Sequence, residues 1–183
     1  AAGAQCLFIS RAHPGHLLEL IRQRGFAVTA LPAELLQPPA NTQVVSERPK
    51  EPVHVSWLGC DWQTDAEETI KAAAQWLPDG IDWLVVDHYQ LDATWERLLR
   101  PHTRKLMVID DLANRPHDCD LLLDQNYYRD LEKRYQGLVP SECVMLLGPD
   151  YVLLRPEFTV ARQRLKVRDG SIRRILIFFG GSD

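Results

Sequence analysis

Three stretches of the chain repeat one design: DWLVVDHY, KLMVIDD and DLLLDQN each carry an apolar run straight into polar residues. Short apolar runs without alternation suit strands covered on both faces, the normal condition of a parallel sheet. A parallel strand reaches its neighbour only through a crossover, so the segments between such strands are expected to contain helices. In that architecture ligands bind beyond the carboxyl ends of the strands, where the polar residues of all three stretches fall.

The remaining segments extend the pattern. AQCLFIS and FAVTALP read as strands flanking PGHLLELIRQRG, a short amphipathic helix with Leu17, Leu20 and Ile21 on its apolar side, Pro14 opening it and Gly25 closing it. TDAEETIKAAAQWL has Thr64 and Glu67 at capping-box spacing, with Ile70 and Ala74 on one face and Pro78, Asp79 and Gly80 as a stop. Asp92 is placed to cap the helix ATWERLLR. CVMLLGPDYVLLRPEF supplies one or two further short strands. Between Ala33 and Pro52 the composition turns to Pro, Gln, Asn and Ser, which predicts a long surface loop. Loops of that length often serve a site. The predicted fold class is α/β, a Rossmann-like parallel sheet over residues 1–158. Residues 159–183 are expected to form a polar connection and the first strand of a second domain.

Composition narrows the function. A net charge of -4, with 21 Lys and Arg scattered among 25 acids, offers no basic face for nucleic acid or anionic lipid. No apolar stretch approaches the length of a membrane span. The four cysteines form no CxxC pair, which disfavours a zinc site or a disulfide framework and suits reduced, cytoplasmic thiols. No cofactor is implied.

The strand-end residues carry the candidate chemistry. Asp87, His88 and Tyr89 end one run, Asp110 and Asp111 another, and together they offer an acid or base, an imidazole titrating near neutrality and a phenol. The competing interpretation is that such carboxylates cap the following helix and that His88 is a turn residue. Paired acids also suit Mg²⁺ in a phospho-acceptor pocket, but no Lys or separate acceptor Asp is evident. Asp124 to Asn126 offers carboxylate and amide groups to sugar hydroxyls, or closes a turn through local bonds. His13 and His16 lack a third metal ligand, and His54, His102 and His117 stand alone in loop contexts. Of the five tryptophans, Trp57 and Trp62 flank LGCD and are the two not assigned to core packing. At the chain's end Gly180, Gly181 and Ser182 follow the apolar run ILIFF, where glycine lets backbone N–H groups approach a phosphate and a helix start adds its positive end.

Taken in order, SRAHPGHLLELIRQRGF, WLGCDWQTDAEET, VVDHYQLDATWE, VIDDLANRPHDCDLLLDQN, LLGPDYVLLRPEF and ILIFFGGSD resemble the UDP-2,4-diacetamido-2,4,6-trideoxy-β-L-altropyranose hydrolases of bacterial pseudaminic acid biosynthesis. The resemblance implies a MurG-like GT-B fold of two Rossmann-like domains with a UDP-sugar between them. It also implies hydrolysis of the anomeric C–O bond with inversion and without a metal. Asp87, His88 and Tyr89 would then line the sugar side with Asp111 and Asn126, while Gly180, Gly181 and Ser182 would open the phosphate-binding region. The Gly-x-Gly-His turn that supplies the family's base is absent from this sequence, and His16 matches a later segment. The chain therefore looks like a piece cut at both ends, with the base expected before Ala1. The family usually has Gly where Gln90 stands. A glycosyltransferase of similar fold and a non-catalytic nucleotide-sugar binding module are the alternatives.

Overall fold

The computed structural model describes residues 3–33, 58–165, 169–172 and 174–177. It divides into two compact units, Ala1–Val152 and Leu153–Asp183.

In the first unit β1 (Leu7–Arg11), α1 (Leu18–Gln23) and β2 (Ala27–Leu31) form a two-stranded parallel sheet with its crossover helix. α2 (Trp62–Trp76) leads into β3 (Ile81–Val86), and α3 (Ala93–Leu99) into β4 (Thr103–Ile109). β5 (Leu121–Asp124) and β6 (Val144–Leu147) complete a second sheet in the order β3-β4-β5-β6. Every described ladder is parallel. The expected α/β class is thus observed, with the strands divided between two sheets.

Several local expectations change. α1 buries Leu18, while Leu17 and Leu20 face solvent. In α2 the cap is Asp61, whose carboxylate accepts from Thr64 N at 2.9 Å, so Thr64 lies inside the first turn and is not the start of a capping box. The buried face runs through Ala66, Thr69 and Ala73, an i, i+3, i+7 stripe, and Ala74 is exposed. α3 begins as expected, its cap Asp92 accepting from Thr94 N at 2.7 Å.

Among the described residues no α-helix joins β4 to β5 or β5 to β6. The β4–β5 segment instead threads beneath α3, where Ala93 N donates to the Pro116 carbonyl (2.9 Å) and His117 N donates to the Leu138 carbonyl (2.7 Å). Buried Glu96 of α3 receives the Asp118 N–H and contacts His117 Nδ1 at 2.6 Å. Polar side chains therefore provide the anchoring that a crossover helix would provide by apolar burial.

One face of the larger sheet makes the core: Val86, Leu106, Val108 and Leu122 pack with Ala66, Trp95 and Leu99. On the opposite face Val85, Met107, Leu121 and Val144 lie in register, and the edge members Val85 and Val144 are 52% and 57% exposed. Trp83 shares that exposure. Apolar runs predicted to be covered on both faces leave one face exposed at the edge strands, whereas in β5 Leu122 and Leu123, on opposite faces, are both buried.

Arg11 ends β1 inside the structure. Its guanidinium reaches Asp65 Oδ2 (2.7 Å), Glu68 Oε2 (2.7 Å) and the Pro32 carbonyl (2.7 Å). Trp95 Nε1 donates to the other Asp65 oxygen at 2.9 Å. One carboxylate on α2 thereby ties β1 to α3.

The second unit contains α4 (Pro156–Gln163), with the Arg155 guanidinium over the Phe158 ring. Of the expected terminal strand, Ile175, Leu176 and Ile177 are exposed and in no described ladder, and the remainder lies outside the described residues. A strand persists through bonds to a neighbour, and the described residues of this unit provide none. Gly180, Gly181 and Ser182 lie outside the described residues, as do Trp57, His54 and the predicted loop beyond Ala33.

Candidate functional site

Parallel strands in register end together, so the residues after β3, β4 and β5 share one edge of the sheet. The ladders pair Val86 with Val108 and Ile109 with Leu123. Asp87 to Tyr89, Asp110 and Asp111, and Gln125 and Asn126 follow directly.

Asp111 is the centre of the outer layer. Its Oδ2 accepts from Asn126 Nδ2 at 2.9 Å, and the Tyr89 phenol lies close to its carboxylate. Burial raises the pKa of Tyr89, and the neighbouring Asp111 raises it further. Asp87 adjoins this pair, its carboxyl pushed above the usual range by burial first and then by the negative charge of Asp111. Asp87, Tyr89, Asp111 and Asn126 therefore form one constellation. His88 differs: its Nδ1 accepts from Gln90 N at 3.1 Å, which puts the proton of the neutral ring on Nε2. Gln90 is more than a turn residue, because its side-chain oxygen accepts from Leu58 N. Glycine at this position could not make that tie.

A second polar layer lies beneath. Asp110 turns inward: Oδ1 takes Arg115 Nη1 at 2.7 Å, and Oδ2 takes Ala113 N at 2.9 Å, with the Tyr135 hydroxyl 3.1 Å away. Burial alone would raise the pKa of Asp110, but the Ala113 N–H, Arg115 and His117 outweigh it and hold the carboxyl below its usual value. Ala113 adopts φ 49°, a left-handed conformation that only a fixed turn sustains in a residue with a Cβ. Arg115 also donates to the carbonyls of Leu91 (2.8 Å) and His88 (3.2 Å), fastening the turn after β3 to the end of β4. Arg134 does the same one strand further along: it donates to Asp124 Oδ2 (3.1 Å) and the Asp111 carbonyl (2.6 Å), and stacks 3.4 Å from the centroid of Tyr128. Tyr135 stands between Asp110 and Asp124, and burial together with both carboxylates raises its pKa.

The outer layer can accept from hydroxyl and amide N–H groups through Asp111, and Asp87 in its acid form can donate to a carbonyl. Sequence reasoning found these groups because the strand pattern fixes their position. It missed Arg115, Arg134 and Tyr135, which come from loops without periodicity. The one available signal was an Arg five residues beyond Asp110 and another ten beyond Asp124.

The Asp87 shift has a thermodynamic consequence. Its folded pKa lies above the unfolded value, so the stability it contributes is complete below about pH 4 and is lost as pH rises through the folded value. Asp87→Asn is expected to raise the urea midpoint at pH 7 and to leave it nearly unchanged at pH 3. An unchanged midpoint at both pH values would show that the carboxyl is not perturbed.

No known protein-family profile matches the chain. The comparison with curated proteins finds a relative of Campylobacter jejuni subsp. jejuni serotype O:2, of which the chain spans 37% of the length. The chain is similar, at 36% identity over 106 residues and 57% of its own length, to the protein named UDP-2,4-diacetamido-2,4,6-trideoxy-beta-L-altropyranose hydrolase.

Proposed function

We propose that the full-length gene product hydrolyses the anomeric C–O bond of UDP-2,4-diacetamido-2,4,6-trideoxy-β-L-altropyranose, giving UDP and the free sugar for pseudaminic acid synthesis in the cytoplasm. The 36% identity to a protein of that name is the observation that carries this reading. The strand-end constellation supports it chemically. Two acetamido groups present carbonyl acceptors and N–H donors, and Asp87, Tyr89, Asp111 and Asn126 offer groups of both kinds. His88 borders them, and Gly180, Gly181 and Ser182 are assigned to the diphosphate. In this reading residues 1–158 belong to the sugar-side domain of a MurG-like GT-B fold, and residues 159–183 lead into its nucleotide domain. The base that activates water is not assigned to any residue of this chain.

The test is UDP release from the nucleotide sugar by the full-length product, with products weighed by mass spectrometry. UDP and free sugar should appear in equal amounts. Tyr89→Phe should lower kcat/KM by roughly 10-fold, the upper end for one hydrogen bond to a neutral acetamido group. Transfer of the sugar to an added acceptor would identify a glycosyltransferase instead. Tight binding without UDP release would identify a binding module.

A further inference from the structure

Cys119 and Cys143 lie just before β5 and β6, neighbouring strands of one ladder. Val144 N donates to the Asp120 carbonyl at 2.9 Å, so the amino-terminal ends of these strands are fixed side by side. The cysteine Sγ atoms are 3.6 Å apart and both side chains are buried, Cys119 at 1% and Cys143 at 9% exposure. Packing alone does not require sulfur at both positions.

We propose that Cys119 and Cys143 are a reversible oxidation site, a dithiol that a hydroperoxide converts into an intramolecular disulfide. Moving from 3.6 Å to the roughly 2.05 Å of an S–S bond asks each sulfur to shift by about 0.8 Å, within the reach of χ1 rotation. The two thiols are unequal, which divides the chemistry between them. Cys143 is the more accessible, and a hydrogen bond from Cys119 favours its thiolate against the opposing effect of burial. The same bond keeps the proton on Cys119.

The Cys143 thiolate attacks the O–O bond of the hydroperoxide. An S–O bond forms, the alkoxide or hydroxide leaves, and protonation yields an alcohol or water together with Cys143 sulfenic acid. The Cys119 sulfur then attacks the sulfenic sulfur, losing its proton as hydroxide departs, and water is released. Two thiols and one hydroperoxide become one disulfide, one water and one alcohol (a second water from hydrogen peroxide). The two electrons come from the sulfurs and reduce the peroxide.

The other cysteines are set apart. Burial pushes the Cys60 thiol up to about 11, and Cys6 is exposed. The new bond would close the segment carrying Asp124, Asn126, Arg134 and Tyr135, tethering the loop that supports the strand-end constellation. The site itself does not depend on what the constellation binds.

The experiment uses this chain with Cys6→Ser, which leaves three thiols. It is treated with hydrogen peroxide, then alkylated under denaturing conditions and mapped by peptide mass. The expected product is lighter by about 2 Da before alkylation, takes up one alkyl group, and yields a Cys119 peptide joined to a Cys143 peptide. Dithiothreitol restores three alkylatable thiols. In the Cys143→Ser variant Cys119 should remain a thiol throughout the same exposure. Three free thiols after peroxide treatment would overturn the proposal. So would sulfinic acid at Cys143 beside an unmodified Cys119.

Discussion

Replacing Arg11 with Met is expected to cost about 3 to 5 kcal/mol of unfolding free energy, the range for removing one partner of a buried ion pair. The guanidinium is 4% exposed and Asp65 is 8% exposed, so neither is well hydrated in the folded state. Removing the cation leaves Asp65 buried, among the described residues, with the Trp95 indole N–H as its remaining side-chain donor and with Glu68 nearby, of the same sign of charge. Met fills much of the aliphatic volume, so the loss reports charge and hydrogen bonding more than a cavity. Urea denaturation measures it. Asp65→Leu added to Arg11→Met should recover part of the loss, because it removes the stranded carboxylate. A midpoint for Arg11→Met within experimental error of the parent would mean that the pair is screened in solution and that β1 is held to α2 by other means.

Arg115→Ala is expected to cost about 2 to 4 kcal/mol, since it strands a carboxylate whose side chain is fully buried and cuts two further bonds to backbone carbonyls. The pH dependence identifies the cause. Asp110 has a folded pKa below the unfolded one, so its contribution is present above about pH 4 and lost as pH falls through the folded value. Without Arg115 that contribution shrinks, so the gap between parent and variant should be widest at pH 6 to 7 and narrow below pH 4. Denaturation series at several pH values decide the point. A gap independent of pH would assign the loss to the Leu91 and His88 carbonyls. Because those carbonyls belong to the turn carrying Tyr89, the same variant in the full-length product should also lower UDP release.

These two arginines mark the limit of what was legible. The parallel sheets, the cap at Asp92 and the meeting of Asp87, Tyr89, Asp111 and Asn126 follow from apolar runs that end in polar residues, a pattern written along one dimension. Arg11 carries no such signal, and the contact that makes it internal closes a distance of 54 residues to Asp65. Helix phase differs from the expectation in both α1 and the 15-residue α2, where Ala73 is buried and Ala74 exposed. Six residues of α1 do not separate Leu17 from Leu18, and in α2 the apolar Trp62 at the first position hid the capping role of Asp61. The sequence of DWLVVDHY is apolar on both faces of the strand, yet coverage depends on which elements pack there, and α2 and α3 serve one face alone.

The wiring of the sheets also bears on time. The shortest separation between paired residues is that of Met107 and Leu121, and the other ladders join residues 20 or more positions apart, such as Leu7 with Ala27 and Leu121 with Val144. None of the described ladders can be seeded by a tight hairpin, so each must close a loop before its first bond forms, and that entropy is spent in advance of any gain. A chain connected in this way belongs among slow-folding topologies. Until its loops close, the apolar runs that define its architecture remain in water, competing with the same runs of neighbouring chains.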